Sequence, residues 1–247
     1  MVGDDLMKTN FFSVIFWFNI FDNHKEILDD FQVELKDEYE QFNVFNYTDN
    51  LVAPIISAVN NKKMTTLSFS QINLQYSMDK VSFNDFEYFK DLSLKLFEIL
   101  TSNNIEISHT SVVINGEIIN DNALHIITKN TVSSRICSDD LVDMTLKLGK
   151  KHDDLFYKII TIMNKKQIKL PHKVDEAGRA VPIPLISWNG SLIENEIVEI
   201  TYEINDKYLF DSTKNYQTTE FYLNKMLYIL NEDINNDIKC ILERGEF

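Results

Sequence analysis

Glycine is scarce in this 247-residue chain, six in all, and none of the six falls in a P-loop or in a Gly-x-Gly-x-x-Gly turn. Both of those nucleotide sites need backbone that approaches phosphate closely, so both are excluded, and no motif calls for a cofactor. Cysteine is scarcer still. Cys137 and Cys240 lie far apart and form no Cys-x-x-Cys, which leaves neither a disulfide framework nor a thiolate zinc site. Two reduced cysteines fit a cytoplasmic protein. Arginine, the side chain best shaped for bidentate capture of phosphate, occurs only as Arg135, Arg179 and Arg244. Basic charge is short overall, with 24 Lys and Arg against 38 Asp and Glu and a net charge of −14. Direct binding to nucleic acid or to an anionic membrane is opposed by that charge, and basic partners are favoured.

Long hydrophobic runs are missing too. The most apolar stretch, Phe11 to Phe21, is too short to cross a bilayer, follows Asp4 and Asp5 instead of a basic segment, and has no small-residue cleavage site after it. It reads as a strand buried on both faces. The catalytic motifs are equally thin. There is no Gly-x-Ser-x-Gly elbow, and none of His24, His109, His125, His152 and His172 stands four residues from another, as a zinc-hydrolase pair would. His24-Lys25-Glu26 matches half of a deaminase signature whose Pro-Cys-x-x-Cys partner is absent. A non-enzymatic role is the reading these absences favour.

What is present is a 44% hydrophobic chain, enough for one large core, patterned as an α+β protein. We expect two antiparallel-sheet halves, 1–118 and 119–247, forming a single domain with amphipathic helices packed on one face. Asn23 and Glu26 are spaced as a capping box that starts a helix near His24, with Leu28, Phe31, Leu35, Tyr39 and Phe42 on its apolar side. Strands are expected from Phe42 to Tyr47, through Leu67 and Phe69, and through Leu74 and Tyr76, with a parity switch near Gln71. Ser82 and Asp85 form a second capping box before a helix to about Asn103. A strand from Ile105 then reaches Asn115-Gly116, a dipeptide that favours a tight hairpin turn.

From 120 to 170 the spacing of Leu141, Met144 and Leu148, then of Leu155, Ile159 and Met163, predicts helices, the first capped by Ser138. The proline-bearing segment Pro171 to Pro184 is expected to be irregular, and Val198 to Ile204 to return to strand, extended by Tyr208 to Phe210. Leu223, Leu227, Leu230, Ile234, Ile238 and Ile241 stripe a long C-terminal helix that Gly245 ends. Such a stripe is core or the seam of a homo-oligomer, and core is the commoner outcome.

Two groups of residues could carry function. His172, Asp175, Glu176 and Arg179 place acid, base and imidazole on one loop, with Trp188 nearby as a stacking wall; Arg179 suits an anionic group, Asp175 and Glu176 a basic one. Asp139, Asp140 and Asp143 stand at helical spacing that could offer carboxylates to Mg²⁺, although acids in a first turn also serve the helix dipole.

Three places carry a resemblance: the apolar strand before the acidic helix at His24; the hairpin Thr65 to Ser77 running into the Phe83, Phe86, Phe89 helix and a strand ending near Asn115; and the late strand Glu199 to Ile204 before the C-terminal helix. In this layout the chain resembles a sporadically distributed, uncharacterised bacterial protein family of similar length, though it lacks that family's proline-rich opening. The abundance of Asn, Lys and Ile is that of an A+T-rich bacterium or phage. The resemblance implies an α+β architecture and an association with mobile or antiviral defence loci. The expectation is a regulatory protein acting through a protein partner. The alternatives are an acidic nucleic-acid mimic that inhibits a DNA- or RNA-binding protein, and a metal-dependent phosphodiester or nucleotide hydrolase.

Overall fold

The computed structural model describes residues 7–21, 23–118, 123–131, 145–153, 155–169, 172–174, 180–182 and 193–245. Its strands are β1 (Met7–Phe18), β2 (Asn43–Val44), β3 (Ile56–Asn60), β4 (Thr65–Phe69), β5 (Asn73–Asp79), β6 (Ile107–Ile118), β7 (Thr145–His152), β8 (Phe156–Lys169), β9 (His172–Val174), β10 (Ala180–Pro182) and β11 (Ile193–Asn205). Its helices are α1 (His24–Glu34), α2 (Phe86–Ser102), α3 (Ala123–Thr131), α4 (Lys207–Ser212) and α5 (Glu220–Arg244).

Nine strands join in one antiparallel sheet of order β2-β3-β4-β5-β1-β6-β11-β8-β7. The α+β class and the long C-terminal helix are as expected. The two strand sets merge where β11 pairs with β6, so the early and late parts of the chain share a single sheet.

β1 lies in the middle, and its even positions Phe12, Val14, Phe16 and Phe18 are buried under the helices. Phe12 meets Phe86 and Phe89 of α2 at ring distances of 5.7 and 5.2 Å. Across the sheet the same face continues through Tyr76, Ile114, Ile200 and Ile160, all fully buried. α5 covers the second half. Leu223, Leu227, Leu230, Ile234, Ile238 and Ile241 are all buried, so the stripe is core. Thr219 accepts the Tyr222 amide at one end of α5, and Gly245 takes the left-handed conformation at the other.

Some expectations are corrected. Ile159 and Met163 lie in a strand, β8, with Leu155 in the turn before it, and Leu148 lies in β7. The β-branched run Ile159-Ile160-Thr161-Ile162 favours a pleated strand over a helix, and alternation puts Phe156, Lys158, Ile160 and Ile162 on the buried face. Asn115-Gly116 makes no turn but lies inside β6, opposite Phe11 and Thr9. A Cβ at Gly116 would come within 2.6 Å of the Lys8 carbonyl oxygen and 2.7 Å of Met7, so this glycine permits close approach of β1. Tyr208 to Phe210 is helical, in α4. α1 stops at Glu34, and a turn carries Leu35 and Tyr39 on into the core. The Ser82–Asp85 capping box forms as expected, with the Ser82 amide 2.7 Å from Asp85 Oδ2. Ser138 lies outside the described residues.

Among the described residues no helix is long and apolar enough to cross a membrane.

Candidate functional site: the sheet face opposite α2 and α5

The alternation that buries the even positions of β1, β6, β11 and β8 sends the odd positions to the opposite face. A face meant for a second apolar layer would be rich in Val, Ile and Leu. This one carries Ser13, Ser111, Asn115, Thr201 and Thr161 among Phe11, Ile15, Trp17 and Val113. It is amphipathic and half-buried, the composition of a contact surface more than of a core.

Its central strands hold four carboxylates. Glu117 of β6 stands directly opposite Glu199 of β11, Glu203 lies four residues further along β11, and Asp79 ends β5 beside Phe11. Like charges opposed across a ladder are unfavourable unless something positive or donating faces them. Donors are built in. Asn115 gives its side-chain amide to Glu199 Oε1 at 2.7 Å and to Thr201 Oγ1 at 2.8 Å. Ser111 Oγ and Asn205 Nδ2 both donate to Glu203 Oε1, at 2.6 and 2.7 Å. Glu199 and Glu203 are thereby fixed in rotamer. Phe11, Asp79, Val113, Asn115, Glu199 and Thr201, with Lys80 at the side, line a shallow depression of about 690 Å³. Fixed carboxylates beside an aromatic floor suit a lysine or arginine side chain.

One end of the face is walled by rings. His109 stacks on Trp17, with centroids 5.7 Å apart and planes 9° apart, and Phe210 of α4 covers its other side at 5.2 Å. Burial, with help from Lys207 and against Asp211, holds the His109 imidazole below its ordinary pKa. Tyr208 of α4 meets Tyr157 at 5.4 Å and takes Lys151 over its ring at 3.9 Å.

Three polar clusters elsewhere are anchors. Lys158, 3% exposed at its side chain, reaches Asp237 at 2.5 Å and Asp233 at 2.9 Å on α5, and Tyr202 donates to the same Asp237 at 2.5 Å. This ties α5 to β8 and β11, and next to Asp237 burial drives the Tyr202 phenol far above its ordinary pKa. Asp206, fully buried, accepts the Thr110 amide at 2.6 Å, Thr218 Oγ1 at 2.6 Å and Tyr216 Oη at 2.7 Å. Near α1, Lys63 Nζ lies 2.8 Å from Glu38, and Tyr88 donates to the same carboxylate. Burial pushes Glu38 up, but the Lys63 and Tyr88 bonds outweigh it and its pKa ends below the ordinary value.

Of the residues singled out in the sequence, Asp139, Asp140, Asp143, Asp175, Glu176, Arg179 and Trp188 lie outside the described residues, and His172 is placed only as the first residue of β9. Among the described residues, no group of three or more His, Cys, Asp or Glu could hold a metal ion. The sheet-face acids went unread because their signal is long-range: Glu117 and Glu199 meet only when β6 pairs with β11, although their odd parity beside buried even neighbours was visible. Neither protein-family models nor curated proteins return a match for this chain.

Proposed function

We propose that this protein is a non-enzymatic binding protein that engages a basic protein partner through the face of its sheet opposite α2 and α5. The observation that carries the reading is the set of carboxylates Asp79, Glu117, Glu199 and Glu203 on one face of the sheet, three of them on paired central strands, with Asp79 and Glu199 lining a depression floored by Phe11 and Val113. Internal donors fix two of these acids, so a partner's lysine or arginine meets a preorganised surface with little side-chain entropy left to lose. The partner complex is salt-sensitive in its association rate. The test is affinity capture with mass spectrometry, using the wild type and the double variant Glu117→Lys, Glu199→Lys. Recovery of a stoichiometric basic protein by the wild type alone supports the reading. Failure to recover one, or equal recovery by both proteins, contradicts it.

A second reading, an acidic mimic of nucleic acid, is favoured by the exposed acids Glu26, Asp29 and Asp37 along α1 and the turn after it. It ranks lower because neighbouring acids there are partly neutralised: Glu34 by Lys95 and Glu40 by Lys62, each at 3.6 Å. It requires that a nucleic acid compete for the captured partner.

A further inference from the structure

The two outer strands of the nine-stranded sheet are β2 and β7. β7 carries Lys147, Lys150 and Lys151, the usual protection of an edge against strand addition. β2 has no such guard. From Gln41 to Thr48 there is no charged side chain in a protein of net charge −14, and the segment holds Phe42, Val44, Phe45 and Tyr47. Val44, Phe45, Tyr47, Leu51, Val52 and Val59, on β2, β3 and the loop between them, are each 38% to 53% exposed. This is the main concentration of exposed large apolar side chains among the described residues.

The backbone at this edge is set for pairing. The Phe45 amide is committed inward, 2.8 Å from the Ile55 carbonyl oxygen, and Asn43 and Val44 face Ser57 and Ile56. Antiparallel alternation therefore turns the Val44 N–H and C=O outward, away from β3.

We propose that this edge is the seat of a second copy of the chain, with β2 pairing antiparallel to β2 of its mate about a two-fold axis at Val44. Two observations favour a second copy over a foreign strand. The first is charge. About that axis Val44 meets Val44 and Asn43 meets Phe45 of the mate, while Glu40 and Asp49 fall opposite the uncharged Thr48 and Tyr39, so two strongly acidic molecules join without opposing acids at the seam. The second is area. Aromatic side chains offer roughly 150–250 Å² each, so at the observed exposures Phe45 and Tyr47 present about 180 Å² per copy, and the four aliphatic side chains add a comparable area. With the strand backbone the pair buries about 1,000 Å², the size at which a specific interface begins. Such an interface gives a reversible dimer and a sheet continuous through eighteen strands.

The test is sedimentation velocity of the full chain over a concentration series, with two variants whose folding is checked by thermal melting. Phe45→Lys brings a charge to the seam. Val44→Pro removes only the outward-facing donor and keeps the extended backbone that proline tolerates at an edge. The wild type is expected to pass from monomer to dimer as concentration rises, and each variant that melts like the wild type to raise the dissociation constant at least about tenfold. A wild type that stays monomeric throughout overturns the proposal and leaves the edge to a strand of another protein. So does a dimer that both variants leave intact, which would place the seam elsewhere. Glu117→Lys, Glu199→Lys serves as control, because charge on the open face leaves β2 pairing unchanged.

Discussion

Lys158 Nζ sits 2.5 Å from Asp237 Oδ2 in a side chain only 3% exposed, so the helix that closes the core is held to the sheet by a buried charge pair. Removing one member strands the other. Lys158→Met is expected to cost about 3–5 kcal/mol, read by urea denaturation. The triple variant Lys158→Met, Asp237→Leu, Tyr202→Phe is expected to recover most of that loss, because no buried group is then left without its partner. Equal losses in the two proteins would mean that packing, not charge pairing, fixes α5.

Asp206 ties the start of β6 to the segment between β11 and α5. Burial raises its carboxyl pKa, against the hydrogen bonds from Thr110, Thr218 and Tyr216. The folded protein therefore holds the Asp206 proton more tightly than the unfolded chain, whose carboxyl titrates near about 3.9. The resulting stabilisation is complete below that value and is lost as pH rises through the elevated native one. Asp206→Asn removes this dependence, so the stability difference between wild type and variant shifts toward the wild type as pH falls. Asp206→Ala, which leaves three donors without their acceptor, costs about 3 kcal/mol at low pH, where the wild-type stabilisation is complete, and less as pH rises.

His109 carries the opposite sign. Its pKa is depressed, so its contribution is present above the unfolded imidazole value of about 6.5 and is lost as pH falls below it. Protonation also puts a cation between Trp17 and Phe210. NMR titration of the His109 ring is expected to show a midpoint below the ordinary imidazole value of about 6.5, and His109→Phe to remove the low-pH loss of stability. A His109 midpoint at or above the ordinary value would remove the argument.

Gly116 tests the corrected reading of Asn115-Gly116. As a turn residue it would tolerate alanine poorly because of its backbone angles; inside β6 it fails for lack of room, since the added methyl meets the Lys8 carbonyl oxygen at 2.6 Å. Gly116→Ala is expected to cost about 1–3 kcal/mol, read by thermal melting.

The elements legible in the sequence were those with local signals. The Ser82–Asp85 box, the uninterrupted β1 run, the parity switch at Gln71 and the α5 stripe ending at Gly245 each depend on residues within a turn or two of one another. β7 and β8 were misread because Leu148, Leu155, Ile159 and Met163 fit a helical spacing by chance, and only pairing with β11 decides which period wins. α1 was read too long because the turn at Leu35 to Glu38 keeps Leu35 and Tyr39 pointing inward, preserving the period after the helix has ended. The carboxylates of the open face were beyond local reading, since β6 and β11 are separated by most of the second half of the chain.

The open face as the binding surface is tested most directly by crosslinking mass spectrometry of the captured complex. Lys8 and Lys147 lie on the strands of that face and Lys80 lines its depression, whereas Lys90, Lys95 and Lys239 ride on α2 and α5 on the other side of the sheet. The account predicts partner crosslinks from Lys8, Lys80 and Lys147, and loss of the complex in Glu117→Lys, Glu199→Lys. Crosslinks from Lys90, Lys95 and Lys239 instead, in a complex that survives the charge reversal, would contradict it.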